Sequence, residues 1–160
     1  MKKILMLLMG GLLVVTSNLT AKTQSTWEQL SKEQQALVDA ALLARKAAYA
    51  PYSHYHVGAA VRTDAGKIIP GVNVENASYG LTQCAERNAI FGAVGEGHKN
   101  FTHIAVVTKD GGTPCGACRQ VMNEFNPKMQ VIISDEIKQK ITLMTVEELL
   151  PYSFELKEKG

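Results

Sequence analysis

The chain is short of cysteine, histidine and net charge, and each shortage removes a class of function. Three cysteines in 160 residues are one too few for a structural zinc site built from sulfur alone. The four histidines, His54, His56, His98 and His103, are scattered and share no ligand motif, so a metal site built from imidazole is not expected. Seventeen basic residues against fifteen acidic ones leave a net charge of +2, which provides no basic stripe for nucleic acid. A Gly-rich phosphate loop is missing, as are internal repeats and low-complexity tracts. The one long apolar run, Ile4 to Val15, is too short to span a bilayer.

What is present is concentrated. All three cysteines fall in two motifs, Cys84-Ala85-Glu86-Arg87 and Pro114-Cys115-Gly116-Ala117-Cys118-Arg119-Gln120. Three soft ligands and a carboxylate that need not bind the ion make up a catalytic zinc site with one open position. Cys115 and Cys118 lie one turn apart on a helix that starts after Pro114. Cys84 opens a second helical run to about Val94, where the helix dipole and unpaired N–H groups favour the thiolate. If both helices follow neighbouring strands, their N-termini converge and the three thiolates meet one Zn²⁺ per chain. Glu86 then reaches a water on the zinc rather than the zinc. Taken alone, a C-x-x-C pair is more often a redox pair or half a zinc knuckle than a catalytic site. Joined to Cys-Ala-Glu, with proline in front, it is a variant of the zinc-deaminase signature.

Periodicity predicts the surrounding fold. Ser31-Lys32-Glu33-Gln34 is a capping box, after which Leu37, Ala41, Ala44 and Ala48 recur at helical spacing until Pro51 ends the run. Strands are expected near His56–Thr63, Lys67–Val74, His103–Thr108 and Met129–Ser134, with a short fifth near Ile141–Leu143. Helices near Cys84–Val94 and Cys115–Phe125 alternate with the later strands. The result is one α/β domain of roughly 130 residues, an ordinary size for a single core. Asn73 and Glu75, two apart on the second strand, would project from one face about 7 Å from each other.

With these residues in view, the chain resembles the small homotetrameric cytidine deaminases that bind zinc through three cysteines. The likeness covers about Ser31 to Phe154. It rests on Tyr49-Ala50-Pro51-Tyr52-Ser53, Val57-Gly58-Ala59-Ala60, Gly71-Val72-Asn73-Val74-Glu75-Asn76-Ala77, both cysteine motifs, and Thr145-Val146-Glu147-Glu148-Leu149-Leu150-Pro151. The resemblance implies a three-layer α/β/α sandwich with a mixed five-stranded sheet. It implies hydrolytic deamination of cytidine and deoxycytidine to uridine and deoxyuridine with release of ammonia, as in pyrimidine salvage. Glu86 would take the proton of the attacking water, pass it to ring N3 and later protonate the leaving amine. Arg87 would offset the charge of the three thiolates by donating to cysteine sulfur, and Arg119 stands close enough in sequence to Cys118 to do the same. Asn73 and Glu75 match the pair that holds the ribose 3′-OH. Tyr55 matches an aromatic ring against the base, Ala85 a further substrate contact, Tyr79 a residue near a subunit boundary, and Phe154 a ring reaching in from a neighbouring subunit. Other readings stay open: a deaminase of a related nucleotide or base, a zinc-binding module without catalysis, or a redox protein using Cys115 and Cys118.

The first residues depart from that pattern. Lys2-Lys3, the apolar run to Val15 and polar residues from Thr16 onward follow the grammar of a secretory signal. Val15-Thr16-Ser17 or Leu19-Thr20-Ala21 could serve as the cleavage site, and no methionine lies between Met9 and Met122 to supply an internal start. Residues 1–26 are therefore expected to be a signal-like segment and linker, and residues 27–160 the catalytic domain. Export to the periplasm or medium is expected, without stable membrane insertion after processing; a cytoplasmic location, usual for the family, is the alternative. The expected partners are a small nucleoside and water, with no nucleic acid, in a homotetramer.

Overall fold

The computed structural model of the chain describes residues 23–156. Ile104-Ala105-Val106-Val107 and Val131-Ile132-Ile133 are unbroken apolar runs, the pattern of strands covered on both faces. They form the middle of β4 (Phe101–Thr108) and β5 (Gln130–Asp135). These two strands are parallel, with His103 opposite Gln130 and Thr108 opposite Asp135. A parallel pair needs a crossover, and α3 (Gly116–Phe125) supplies it. Around this pair the sheet is antiparallel. β2 (Gly58–Thr63) pairs with β4 and with β3 (Ile68–Val72) on one side. β6 (Ile141–Thr145) pairs with β5 on the other.

Among the described residues the sheet has six strands, with Thr23–Ser25 as β1, in the order β1-β6-β5-β4-β2-β3, not the five expected. The addition is β1, Thr23–Ser25, antiparallel to β6 with Thr23 opposite Leu143 and Ser25 opposite Ile141. Its three polar residues carry no alternation that could mark a strand in advance. The free edge of β6 provides the pairing that β1 could not specify by itself. β1 lies just N-terminal to residue 27, where the catalytic domain was expected to begin.

Strand alternation builds the three layers. Ala59, Val61, Ile104, Val106, Val131 and Ile133 face one way, against Ala89, Ile90 and Ala93 of α2 (Ala85–Gly95) and Met122 of α3. Ala60, Ala105, Val107 and Ile132 face the other way, against Leu37, Val38 and Ala41 of α1 (Lys32–Arg45). A short α4 (Val146–Leu149) caps the β6 end. The capping box of α1 forms as read: Gln34 N–H donates to Ser31 Oγ at 3.2 Å, and Ser31 N–H donates to the Gln34 side chain at 2.9 Å. The helix nevertheless stops at Arg45, short of Pro51. Arg45 there donates to His56 O and pairs with Glu136, and Tyr49 N–H turns to Asn73 O at 3.0 Å, starting a bridge.

Two glycines set the spacing between layers. A Cβ on Gly58 would lie 2.0 Å from Ala41 O, and one on Gly71 would lie 2.4 Å from both Ala85 O and Ala89 N. α1 and the first turns of α2 thus rest directly on strand backbone. Among the described residues no helix is long and apolar enough to cross a membrane. The expected signal-like segment falls almost wholly on residues 1–22, which lie outside the described residues.

Candidate active site

The site forms where the N-termini of α2 and α3 meet beyond the end of β4. Cys84 and Cys115 are the N-cap residues of these helices, both with extended backbone, and Cys118 lies one turn into α3. Asn88 fixes α2 against the sheet by donating to Val72 O at 2.8 Å. The three sulfurs all lie within 4.8 Å of one another. Cys84 Sγ is 3.9 Å from Cys115 Sγ, which is 3.5 Å from Cys118 Sγ. A tetrahedral zinc with bonds of about 2.3 Å holds its sulfurs about 3.8 Å apart. The cluster therefore fits one Zn²⁺, with three sulfurs as its protein ligands and one position left over.

Electrostatics at the cluster point the same way. The hydrogen bond from Cys118 brings the Cys84 thiol down to about 5, with Arg87 adding to the effect. Cys118 moves up in return, because its proton is held by Cys84 and its side chain is buried. Arg87 Nη2 donates to Cys84 Sγ at 3.6 Å and to Thr82 O at 3.3 Å. Arg119 does not do the same. Its guanidinium donates to Pro114 O at 2.8 Å, Leu149 O at 2.9 Å and Thr113 Oγ1 at 3.3 Å, so it ties α3 to the C-terminal segment.

Glu86 is 4% exposed. Burial is the main force raising its carboxyl above the usual range, and the nearby Cys84 adds to it. An interaction with the Cys118 side chain pulls it part of the way back. A cavity of about 320 Å³ opens above it, with Cys84, Cys115 and Glu86 in its lining and Cys118 fully buried behind. Such a volume, with few polar groups directed inward, suits a small molecule.

Asn73, Glu75, Tyr55 and Ala85 line the same cavity. The strand expected to carry Asn73 and Glu75 ends at Val72, because Val74 leaves β3 to bridge Tyr49 and Gln83. Asn73 turns its amide onto the backbone of the facing segment, accepting from Val57 N–H and donating to Tyr55 O, both at 2.8 Å. Glu75 accepts from Tyr52 N–H at 2.8 Å, Ser53 N–H at 3.2 Å and the Ser53 hydroxyl. The Ser53 hydroxyl is the main reason its carboxylate sits below the usual range. Two other expected residues lie elsewhere. Tyr79 is exposed and packs edge-on against Tyr52 with ring centroids 6.2 Å apart, beside a second hollow bordered by Ser53, Glu75 and Thr82. Phe154 is 66% exposed and outside the cavity of its own chain, its backbone held by Gln120.

Sequence reading missed Ser53, Thr108, Asp110 and Gln83. Ser53 stood inside a motif quoted above with no role of its own. Asp110 opens Asp110-Gly111-Gly112, a turn signal that sits one residue before the proline of the second cysteine motif. Thr108 and Gln83 carried no signal.

Comparison with known proteins agrees with this arrangement. Residues 31–134 match the family described as the cytidine and deoxycytidylate deaminase zinc-binding region. Cytidine deaminase of Halalkalibacterium halodurans is 48% identical over 124 residues, covering 76% of this chain and 94% of that protein. Among solved structures, cytidine deaminase from Burkholderia pseudomallei superposes with a TM-score of 0.73 at 45% identity, covering 78% of this chain and all of the other. Cytidine deaminase from Mycobacterium tuberculosis superposes with a TM-score of 0.68 at 35% identity, covering 79% and 100%.

Proposed function

The chain belongs to the cytidine and deoxycytidylate deaminase family, and from that premise we propose how its own residues carry out the hydrolytic deamination of cytidine. The observation that carries the reading is a buried carboxyl, Glu86, beside three converging sulfurs at the floor of a small-molecule cavity. Cys84, Cys115 and Cys118 hold the zinc. Bound there, zinc supplies the Lewis acidity that makes water nucleophilic near neutral pH. Glu86 takes one proton from the water that adds to C4 and delivers it to ring N3; it then takes the remaining proton from the new C4 hydroxyl and delivers it to the exocyclic amine, so that C4=O forms as the C4–N bond breaks and ammonia departs. A carboxyl whose affinity for protons has been raised by burial suits both halves of that shuttle. Arg87 draws charge from the Cys84 sulfur.

Asn73 and Glu75 take the sugar, Glu75 with an acceptor already ordered by Ser53 and the Tyr52 backbone. Tyr55 and Ala85 border the base. Among the described residues that line the cavity none is Lys, Arg or His, which supports a nucleoside over a phosphorylated substrate. Deoxycytidine is the second expected substrate, and production of uridine and deoxyuridine gives the enzyme a place in pyrimidine salvage. Exposed Tyr49, Tyr52, Val74, Tyr79, Leu81 and Phe91 support assembly into a homotetramer, in which Tyr79 and Phe154 meet the site of a neighbouring subunit. Residues 27–160 act as the catalytic domain. The basic and apolar pattern of Lys2 to Val15 is the support for export of that domain; intact chain confined to the cytosol after a pulse-chase contradicts export and leaves the cytoplasmic alternative.

The test is ultraviolet-followed turnover of cytidine, deoxycytidine, cytosine and dCMP, with and without a chelator. Loss of absorbance with the two nucleosides, abolished by the chelator, is the expected result. Turnover confined to cytosine or dCMP moves the substrate class. Absence of turnover in zinc-loaded protein leaves a binding module.

A further inference from the structure

Tyr55 is held at both ends, and the two holds come from opposite walls of the cavity. At its backbone, the Tyr55 carbonyl accepts from Asn73 Nδ2 at 2.8 Å and its N–H donates to Ser53 Oγ at 3.0 Å, so the sugar side fixes the main chain. At its far end, the phenol donates to Asp110 Oδ1 at 2.6 Å. Asp110 belongs to the loop between β4 and the zinc-binding helix α3. That loop is itself built around the contact. Thr108 Oγ1 donates to the same Asp110 oxygen at 3.1 Å and accepts from Gly112 N–H at 2.7 Å. Lys140 Nζ donates to Asp110 O at 3.1 Å. Gly111 has φ of +73°, and a Cβ on Gly112 would come within 2.7 Å of the Tyr55 hydroxyl oxygen, so the two glycines let the loop fold beneath the phenol.

We propose that Asp110 is a positioning residue for substrate binding: through its hydrogen bond to the Tyr55 hydroxyl it holds the Tyr55 ring as a fixed wall of the cavity. A phenylalanine in place of Tyr55 would have only packing to set its ring angle. The tyrosine adds a charge-assisted bond to a loop that continues directly into Pro114 and Cys115, so ring and metal helix share one support. The Glu75 carboxylate is joined to the same frame, since Ser53 Oγ accepts from Tyr55 N–H and donates to Glu75. Asp110 need not touch the nucleoside, because its effect passes through the ring. A pre-set ring lowers the ordering cost of binding. It does not alter the proton transfers of Glu86.

This inference rests on the reading of the cavity as a cytidine site, and the experiment separates the two. Steady-state kinetics with cytidine are measured for the zinc-loaded parent, Asp110→Ala, Asp110→Asn, Tyr55→Phe and the Tyr55→Phe/Asp110→Ala double variant, with zinc content and Tm recorded for each. Loss of one such hydrogen bond corresponds to a rise in KM of about three- to tenfold. The expected result is that rise in Asp110→Ala, with kcat within about twofold and zinc content unchanged. Asp110→Asn, which still accepts the phenol hydrogen bond, returns KM towards the parent value. Tyr55→Phe shows the same rise as Asp110→Ala, and the double variant shows no more than either single. An unchanged KM in Asp110→Ala, or additive effects in the double variant, overturns the inference while the deaminase reading stands. A fall in kcat with loss of zinc also overturns it, assigning Asp110 to support of α3. Failure of the parent itself to turn over cytidine removes the deaminase reading, and this inference with it.

Discussion

At the scale of single residues, Glu86 and Cys84 respond in opposite ways to nearly the same surroundings. Burial favours the proton on Glu86, whereas hydrogen bonds from Cys118 and Arg87 strip it from Cys84. Glu86→Gln keeps the shape and removes the proton carrier, so it should bind one zinc per chain and lose turnover by about 10²- to 10⁴-fold. Near-normal turnover in that variant removes Glu86 from the mechanism. In zinc-free protein, Cys84 with a pKa of about 5 is a thiolate at neutral pH and a thiol only below that value. Alkylation of Cys84 by iodoacetamide, followed by mass spectrometry, should therefore climb with a midpoint near pH 5 and be flat by pH 7. Cys118, whose proton is held more tightly and which is fully buried, should stay unmodified there. A midpoint for Cys84 above pH 8 contradicts the cluster geometry. This clustering could be read from the chain because the motifs place one carboxylate, one arginine and three thiols within a few residues of two helix starts. The contact between Asp110 and Tyr55 could not, because it joins residues 55 positions apart across a loop that no periodicity constrains. Arg119 shows the reverse limit: its neighbour in sequence is Cys118, yet two backbone carbonyls and a hydroxyl take up its donors.

At the scale of elements, the site depends on two helix N-termini held at fixed height over the sheet. Their existence followed from cysteine spacing and helical patterning, but the strands they follow are not the neighbours expected: α2 comes after β3 and α3 after β4, with β2 between those strands. How closely α2 approaches β3 was not legible, since it depends on the missing side chain of Gly71. Gly71→Ala would push a methyl group into Ala85 O and Ala89 N, both 2.4 Å away. It should lose roughly 1–3 kcal/mol of stability and weaken zinc binding, because Cys84 rides on the displaced turn. Gly92→Ala, in the same helix with nothing closer than 3.9 Å, should instead gain about 0.8–1 kcal/mol from helix propensity. Thermal denaturation with metal analysis on both variants checks the pair. Equal effects would mean that the packing of α2 on β3 does not set the site. The end of β3 was misjudged for a related reason. Val72 to Val74 reads as one β-rich run, but Asn73 finds better partners in the backbone of Tyr55 and Val57. The chain leaves the strand there to make the cavity wall.

At the scale of the whole molecule, residues 31–134 match the family, and the sheet extends beyond them at the N-terminal side. β1 adds to β6, and the following turn places Trp27 under Lys138, whose ammonium is 3.8 Å from the ring centroid and 2.5 Å from Asp39. Gln35 donates to Trp27 O at 2.9 Å. This strap sits at the edge of the sheet opposite β3, and β3 leads into Asn73 and Glu75. Trp27→Ala should thus cost about 1 kcal/mol of stability and leave kcat/KM for cytidine unchanged; a matching loss of activity would show that the edge supports the site. The layered core was legible because its strands are apolar on both faces, while the sixth strand depended on an edge that only the assembled sheet presents. The decisive measurement is a titration of metal-free enzyme with zinc while cytidine turnover is followed. Activity should rise linearly from zero and break at one zinc per chain. Turnover that is already complete without zinc, or zinc bound at that ratio with no turnover gained, contradicts the deaminase reading.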